Sequence, residues 1–469
     1  MLTIPRTLKN ILSLSTAELA SRLLSVIYSI YLARVLLVES YGIYGTAKFL
    51  VAYFVILASL GLDSIGTREV ATKPKEMKNI VNNIFTLRIV MAIIGYLLLA
   101  IITYFLDKPL IEKATILIFG LNIFANNILL NWVFQALEKL EVFAIRSIIT
   151  SVLNFIGIIL FVKNPNDVTL AAIIIVSSAT FNSILMIIYY LRNYQTLSLK
   201  FNFTLWKEYL KQAIPIGITF LLSGFYNYIP FFILNVQTNN YYSGLYTAAF
   251  NVLIVATLLS SVIQTVYYPI FSKKSTREDK FYVLNQYSKL TFSIGTYIPM
   301  FLFVFADKVI LLFGKDYAPA MPTIRLLMIS VMMIYYSITF FSPLIAWKYE
   351  RKVIIGNFVG LIVNLILNLI LVPILFDRGS AISAIFTELS VFIVFAIIFF
   401  PIFRTLLFSN YLRFFLFSAV STLPFLLFDY DFLYSLPSMV VSFAIFLALI
   451  FLTKTITLQE LKLIKKNEV

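Results

Sequence analysis

The chain has 469 residues, 61% of them hydrophobic and 13% charged, with a formal net charge of +15. Average soluble domains are about 45–50% apolar and about 25% charged, so no globular interior of this length hides that much apolar side chain, and lipid must solvate much of it. With neither cysteine nor histidine, disulfides, thiol nucleophiles, histidine metal sites and Ser-His-Asp triads are excluded, and no cofactor or metal is expected.

Arg6 and Lys9 precede the first apolar run, and no small-residue cleavage site follows promptly, which predicts a retained first helix. Runs of spanning length fall near residues 11–35, 46–62, 83–106, 114–136, 143–162 and 168–191. After a more polar stretch they continue near 212–234, 246–270, 288–306, 321–346, 353–373 and 380–403, and a final pair lies near 411–428 and 436–453. A crossing needs about 20 residues, so the runs predict an all-α integral membrane protein of about 14 transmembrane helices. The loops left over are too short for a folded extramembrane domain.

The basic residues test that layout. With the N-terminus placed in the cytoplasm, 26 Lys and Arg fall on the cytoplasmic side, nine outside, and Arg22 and Arg88 within helices. The positive-inside rule counts Lys and Arg and largely ignores acids, so the split supports the helix number and predicts a multi-pass protein of the cell membrane with both termini cytoplasmic. The basic excess is then topological, with anionic membrane lipid as a secondary partner and no nucleic acid.

Two loops repeat. YGIYGTAKF (41–49) and SGLYTAAFN (243–251) align Gly42, Tyr44 and Ala47 with Gly244, Tyr246 and Ala249, 202 positions on. Farther along, Ala136 and Asn154 align with Ala346 and Asn364, 210 positions on. These matches predict two six-helix lobes in parallel repeat, a layout that places the substrate path at the interface between halves. The expected divisions are 1–191 for the first lobe, 192–211 for a cytoplasmic linker, 212–403 for the second lobe, and 404–469 for two further helices and a tail. The end of the linker reads as a short interfacial helix anchored by Trp206.

Several segments then carry a resemblance: LARVLLVESYGIYGTA (32–47), LASLGLDSIGTREVA (57–71), AIPIGI (213–218), SGLYTAAFNVL (243–253), ADKVILLFGKDYAPA (306–320) and GNFVGLIVNLILNLILVPILFDRGSAISAIFTE (356–388). Together they make nearly the whole chain resemble the polysaccharide-export (Wzx-type) flippases of the multidrug/oligosaccharidyl-lipid/polysaccharide exporter superfamily. That family usually has glycine near the position of Leu37, where this chain departs from it. The resemblance implies two lobes around a central cavity that opens alternately to each side.

Charges inside spanning helices are the informative residues, because each costs about 2.5–3.5 kcal/mol at the helix centre unless wet or paired. Ser15, Glu18, Arg22, Ser25 and Ser29 are spaced 3, 4, 3 and 4 apart, which puts them on one helical face expected to line the cavity. Arg22 is a candidate phosphate ligand, with Glu18 tuning it or coupling ion movement; a self-neutralising structural pair explains the same residues. Arg88, near Asn83 and Thr86, either greets an anionic headgroup or snorkels to the interface. Arg34 and Lys48 flank the outer end of the first hairpin, as an exit-side basic site or as ordinary interfacial anchors. Glu388, inside the twelfth run, either contacts a coupling cation, Na+ or H+, or bonds a neighbouring backbone.

Polar residues that need not bind substrate are Asn127, Asn131 and Gln135 in the fourth run and Asn357, Asn364 and Asn368 in the eleventh, for which interhelical hydrogen bonding is the simpler reading. Tyr226, Tyr228, Tyr241 and Tyr242 read as sugar-stacking rings or as an interfacial belt. The expected function is a flippase that moves an isoprenoid-phosphate-linked oligosaccharide from the cytoplasmic to the outer leaflet by alternating access, not an enzyme. A cation-coupled multidrug or metabolite antiporter is the alternative, and a polytopic glycosyltransferase or ligase using Asp429 and Asp431 is a third reading.

Overall fold

The computed structural model describes residues 6–273, 276–403, 407–427, 432–453 and 455, and the side chains from residue 19 onward apart from a few isolated positions. Helices and short 3-10 turns are the regular elements found there. In the first half of the chain they are α1 (Arg6–Ser59), α2 (Leu62–Thr72), α3 (Met77–Phe105), α4 (Leu110–Gly120), α5 (Asn122–Asn127), α6 (Asn131–Ala136), α7 (Leu140–Phe161), α8 (Val168–Asn193) and α9 (Phe203–Gln237). There follow α10 (Asn240–Lys273), α11 (Arg277–Val304), α12 (Ala306–Ile310), α13 (Met321–Ala346), α14 (Glu350–Phe403), α15 (Phe408–Thr422) and α16 (Phe432–Leu452). The predicted apolar runs lie largely on helix, as an all-α membrane protein requires.

Among the described residues, eight helices are long and apolar enough to cross a bilayer, or nine if the bent pair Phe203–Leu222 and Gly224–Gln237 is one span. Two of the eight, Leu19–Ser59 and Lys352–Ile402, have 41 and 51 residues. At 1.5 Å per residue either would be about twice the 30 Å hydrocarbon core. Each is broken instead, at Leu37 (φ 60°, ψ 176°) and at Phe376 (φ 56°, ψ −130°). In α14 the halves run antiparallel: Asn364 Nδ2 donates to Thr387 Oγ1 at 3.1 Å and Ser380 Oγ to Asn368 Oδ1 at 2.9 Å. Asn364 and Asn368 are therefore packing groups that join two helices.

The fourth apolar run departs from the single helix expected of it. It is divided into α4, α5 and α6, with Ile128, Leu129 and Leu130 outside any helix. Asn126 and Asn127 turn their amides back onto the carbonyls of Asn122 and Ile123, both at 2.9 Å, the local bonding by which asparagine competes with a continuing helix. Asn127 and Asn131 thus bracket a break instead of sharing a helical face.

The chain divides into two compact units, Met1–Thr247 and Ala248–Val469. The core of the first gathers Ile80, Ile84, Trp132, Phe134, Tyr190 and Trp206. Trp206 is thus no surface anchor: its indole is buried and packs on Phe201 and Phe203. The cause lies just upstream, where the linker is pinned along α3. Ser198 N donates to Asn82 Oδ1 at 3.0 Å and Lys200 N to Thr86 Oγ1 at 2.9 Å. The expected short interfacial helix is the first part of the long α9.

The second unit packs Phe271, Tyr287, Phe292, Phe340, Phe399 and Phe414. Large apolar side chains left outside, such as Leu97 and Ile101 on α3 or Ile366 and Ile370 on α14, have no use in water and suit a lipid solvent.

The repeat is visible in backbone detail. Glu138 takes a positive φ of 55° and Lys139 N bonds Phe134 O at 2.9 Å; 210 positions on, Lys348 has φ 67° and Tyr349 N bonds Leu344 O at 2.8 Å.

Candidate functional site

Gly61, at the turn between α1 and α2, has φ 79°, and a Cβ there would stand 2.9 Å from both Ala213 O and Gly217 N of α9. Only glycine allows that conformation and approach without strain. The segments LASLGLDSIGT and AIPIGI, far apart in sequence, therefore meet backbone to backbone. Directly after this turn stands Asp63, which the sequence reading passed over. Its carboxylate accepts a hydrogen bond from Arg88 Nη1, and Arg88 Nη2 donates to Asn126 O at 2.8 Å. Arg88 is 3% exposed, so it neither snorkels nor opens onto solvent; it ties α3 to the starts of α2 and the α5–α6 break.

Arg22 sits differently. It is exposed on α1, as are Leu23 and Ile27 near it. The side chain of Glu18 lies outside the described residues. Farther along the predicted polar face the groups turn inward. Ser25 donates to the carbonyl of Ser21 at 2.9 Å, and Ser29 is buried 2.7 Å from the hydroxyl of Tyr41. The face is therefore divided, with Arg22 accessible and Ser29 serving the hairpin fold.

Arg34 is exposed. Lys48 is half-buried, its ammonium 5.7 Å from the centre of the Tyr44 ring and 5.1 Å from that of Phe49, a cation–π setting that offsets lost hydration. Phe49 stacks on Tyr228 at 5.8 Å and on Phe231 at 3.9 Å. Tyr241 and Tyr242 meet edge to face at 5.5 Å. Arg22, Arg34 and Lys48 thus share one broken helix, while Arg88 belongs to a separate cluster with the half-exposed Asp63.

In the second unit Glu388 is buried on α14, one residue from the Asn364–Thr387 bond. Its carboxyl has no hydrogen-bond partner among the described residues. Asp429 and Asp431 lie outside the described residues. No group of three or more metal-ligating side chains is found among the residues described.

One further polar group escaped the sequence reading. Glu112, in the first turn of α4, is fully buried. Asn235 and Asn240 each donate an amide proton to it, at 2.8 and 2.9 Å. Nothing local marks it, since both donors lie more than 120 positions away.

These features define an all-helical membrane protein with many long apolar helices. Residues 7–275 match the model of the polysaccharide biosynthesis protein family, and the chain belongs to that family. It is 25% identical over 318 residues to the capsular polysaccharide biosynthesis protein CapF of Staphylococcus aureus, covering 66% of this chain and 78% of the relative. A putative O-antigen transporter of Shigella dysenteriae is 25% identical over 273 residues, 56% of this chain and 67% of that one. Among solved structures, the lipid II flippase MurJ in an inward closed conformation superposes with a TM-score of 0.73 at 15% identity, over 95% of this chain and 99% of MurJ. An inward-facing multidrug transporter of the MATE family gives 0.63 at 14% identity, over 83% and 99%. At such identities these two establish the fold alone.

Proposed function

We propose that the protein is a flippase of the cell membrane that carries an isoprenoid-phosphate-linked oligosaccharide from the cytoplasmic to the outer leaflet by alternating access. The observation that carries this reading is the row of cations on α1, Arg22 and Arg34 exposed and Lys48 half-buried. A cation within a spanning segment, as the sequence places Arg22, is expensive, and an anionic headgroup passing it on the way to Arg34 and Lys48 at the outer end repays that cost. The isoprenoid tail stays in lipid while phosphate and sugar follow the polar route, with Tyr228, Tyr241 and Tyr242 offering rings to the sugar. The names of the family and of its capsular and O-antigen relatives support this cargo.

Arg88 has a supporting role in this scheme. Its guanidinium is engaged by Asp63 and Asn126 O, so it positions α2 and α3 and does not receive the headgroup. With a negative interior, moving an anion outward is downhill by about 2.3 kcal/mol per charge per 100 mV, so coupling to Na+ or H+ is an addition and not a requirement. Glu388, buried without a partner among the described residues, is the group we assign to such coupling, with Glu18 as a second candidate.

The test is translocation of a labelled lipid-linked oligosaccharide by purified protein in proteoliposomes. Arg22→Ala lowers the rate severalfold at equal protein, and Arg34→Ala lowers it less. Rates equal to the parent's for both variants would refute the assignment. The buried Glu388 favours one second reading, a cation-coupled drug antiporter, and drug-stimulated Na+ or H+ exchange without lipid movement would put that reading first.

A further inference from the structure

In the first unit, four turns lie at the end opposite the lysine-rich ones: those at Leu37, between α3 and α4, between α7 and α8, and between α9 and α10. Two of them meet through backbone. A Cβ on Gly42 would stand 1.9 Å from Asn240 O, and one on Gly244 would stand 2.0 Å from Val38 O. These contacts are reciprocal under the sequence repeat, because Val38 and Gly42 become Asn240 and Gly244 when 202 is added. Gly45, which faces Thr247, meets its own counterpart. The joint is thus a pseudo-twofold contact of equivalent helix starts, with no side chain between the facing chains at either glycine. Two smooth, equivalent backbones can part as units.

The fastening is beside them. Glu112 Oε1 accepts from Asn235 Nδ2 at 2.8 Å and Oε2 from Asn240 Nδ2 at 2.9 Å. Asn235 Nδ2 also donates to Asn240 Oδ1 at 2.8 Å, and Lys108 Nζ donates to the carbonyl of Asn235. A single carboxylate from α4 thereby holds the end of α9 and the start of α10 against the turn at Leu37. The arrangement belongs to one repeat only, since the counterparts of Asn235 and Asn240 are Ala33 and Val38.

We propose that Glu112, Asn235 and Asn240 are the releasable catch of an outer gate, bonded while the protein is closed to the exterior and separated when it opens there. The chemistry suits reversibility. Charge-assisted bonds are strong in a dry setting, yet on opening water replaces both amide donors, so release strands no buried group. An apolar clasp would lack that exchange. The inference rests on the alternating access and sidedness proposed above, and it deepens that reading by naming the gate.

The natural absence of cysteine makes the test direct. Ser243→Cys places a thiol in the buried joint, and a membrane-impermeant maleimide is applied from outside to intact cells. With Glu112 present labelling is slow; adding Glu112→Ala speeds it about fivefold or more, the scale of a modest coupling between conformations. Glu112→Gln keeps the volume but sets a donor against one of the amides, and gives an intermediate rate even if the alanine variant folds poorly. Labelling unchanged in both variants overturns the proposal. In a second arm, Glu112→Cys with Asn240→Cys is bridged by a short, reducible bifunctional thiol reagent. Lipid-linked oligosaccharide transport then stops and returns on reduction, whereas transport persisting in fully bridged protein overturns the catch. Labelling uses no cargo, so a Glu112-dependent rate in a protein that moves no lipid-linked sugar would retain the catch and discard the cargo.

Discussion

Thr323 donates its hydroxyl proton to the carboxylate of Asp377, joining the start of α13 to the bend of α14. At the positions 208 earlier, Thr115 and Thr169 meet hydroxyl to hydroxyl at 3.0 Å and join α4 to α8. The contact is kept and its chemistry altered: a neutral pair in one unit, a carboxylate in the other. The two halves share a scaffold, then, while their polar groups have diverged, and the cations of α1 and the acid Glu388 fall in different units.

The cluster around Arg88 separates structural from transport roles. Arg88→Ala removes the donors to Asp63 and to Asn126 O, a loss of about 2–3 kcal/mol for bonds involving a charged group. Arg22→Ala, at an exposed position of α1, costs less, since an interaction made at an exposed site nets only about 0–1 kcal/mol. Thermal unfolding of detergent-purified protein should therefore show a larger midpoint loss for Arg88→Ala than for Arg22→Ala, whose main expected effect is on transport.

Leu37 occupies a region of dihedral space used almost only by glycine, at a cost of order 1–3 kcal/mol, and its side chain is 46% exposed. Leu37→Gly relieves the strain and loses little packing, so the unfolding midpoint should rise. Leu37→Ala keeps the Cβ and should bring no gain. A lower midpoint for the glycine variant would show that the leucine side chain contributes more than its backbone costs.

Gly66 lies under the indole of Trp132, where a Cβ would stand 2.4 Å from Cε3. The ring is fully buried and cannot withdraw, and Thr67 Oγ1 holds the same stretch through Trp132 O at 3.1 Å. Gly66→Ala should destabilise by about 1–3 kcal/mol, as overpacking does, and should shift the tryptophan emission of the folded protein.

At the lysine-rich end Lys73 donates to Glu69 at 2.9 Å. That hydrogen bond, more than charge alone, holds the Glu69 carboxyl below its usual 4.5, and the carboxylate in turn raises Lys73 above 10.5. A depressed acid adds stability that is present above its unfolded value and lost as pH falls through the folded one. A raised amine adds stability that is present below its unfolded value and lost as pH rises through the folded one. The pair thus supports the end of α2 between about pH 5 and pH 10, weakly because both groups meet solvent. Hydrogen exchange over residues 69–76 should be faster in Lys73→Ala than in the parent at pH 7, and the two should converge at pH 3.

The amino-acid order by itself determined that this is an all-helical membrane protein, where its apolar runs lie, and that its two parts repeat. Those properties follow from hydrophobic length and from turn residues such as Gly42 and Gly244, which act locally. It also marked Arg22 as a cation in costly surroundings. Tertiary structure alone decided what such groups meet. Arg88 is held by Asp63, 25 positions away, and by the Asn126 carbonyl beside the break in the fourth run. Trp206 is drawn into the core by a linker laid along α3, and Glu112 finds its partners more than 120 positions on. Helix formation depends on neighbours within a turn or two, whereas the cost of a buried charge depends on whatever the fold brings beside it, and no window along the chain contains that partner.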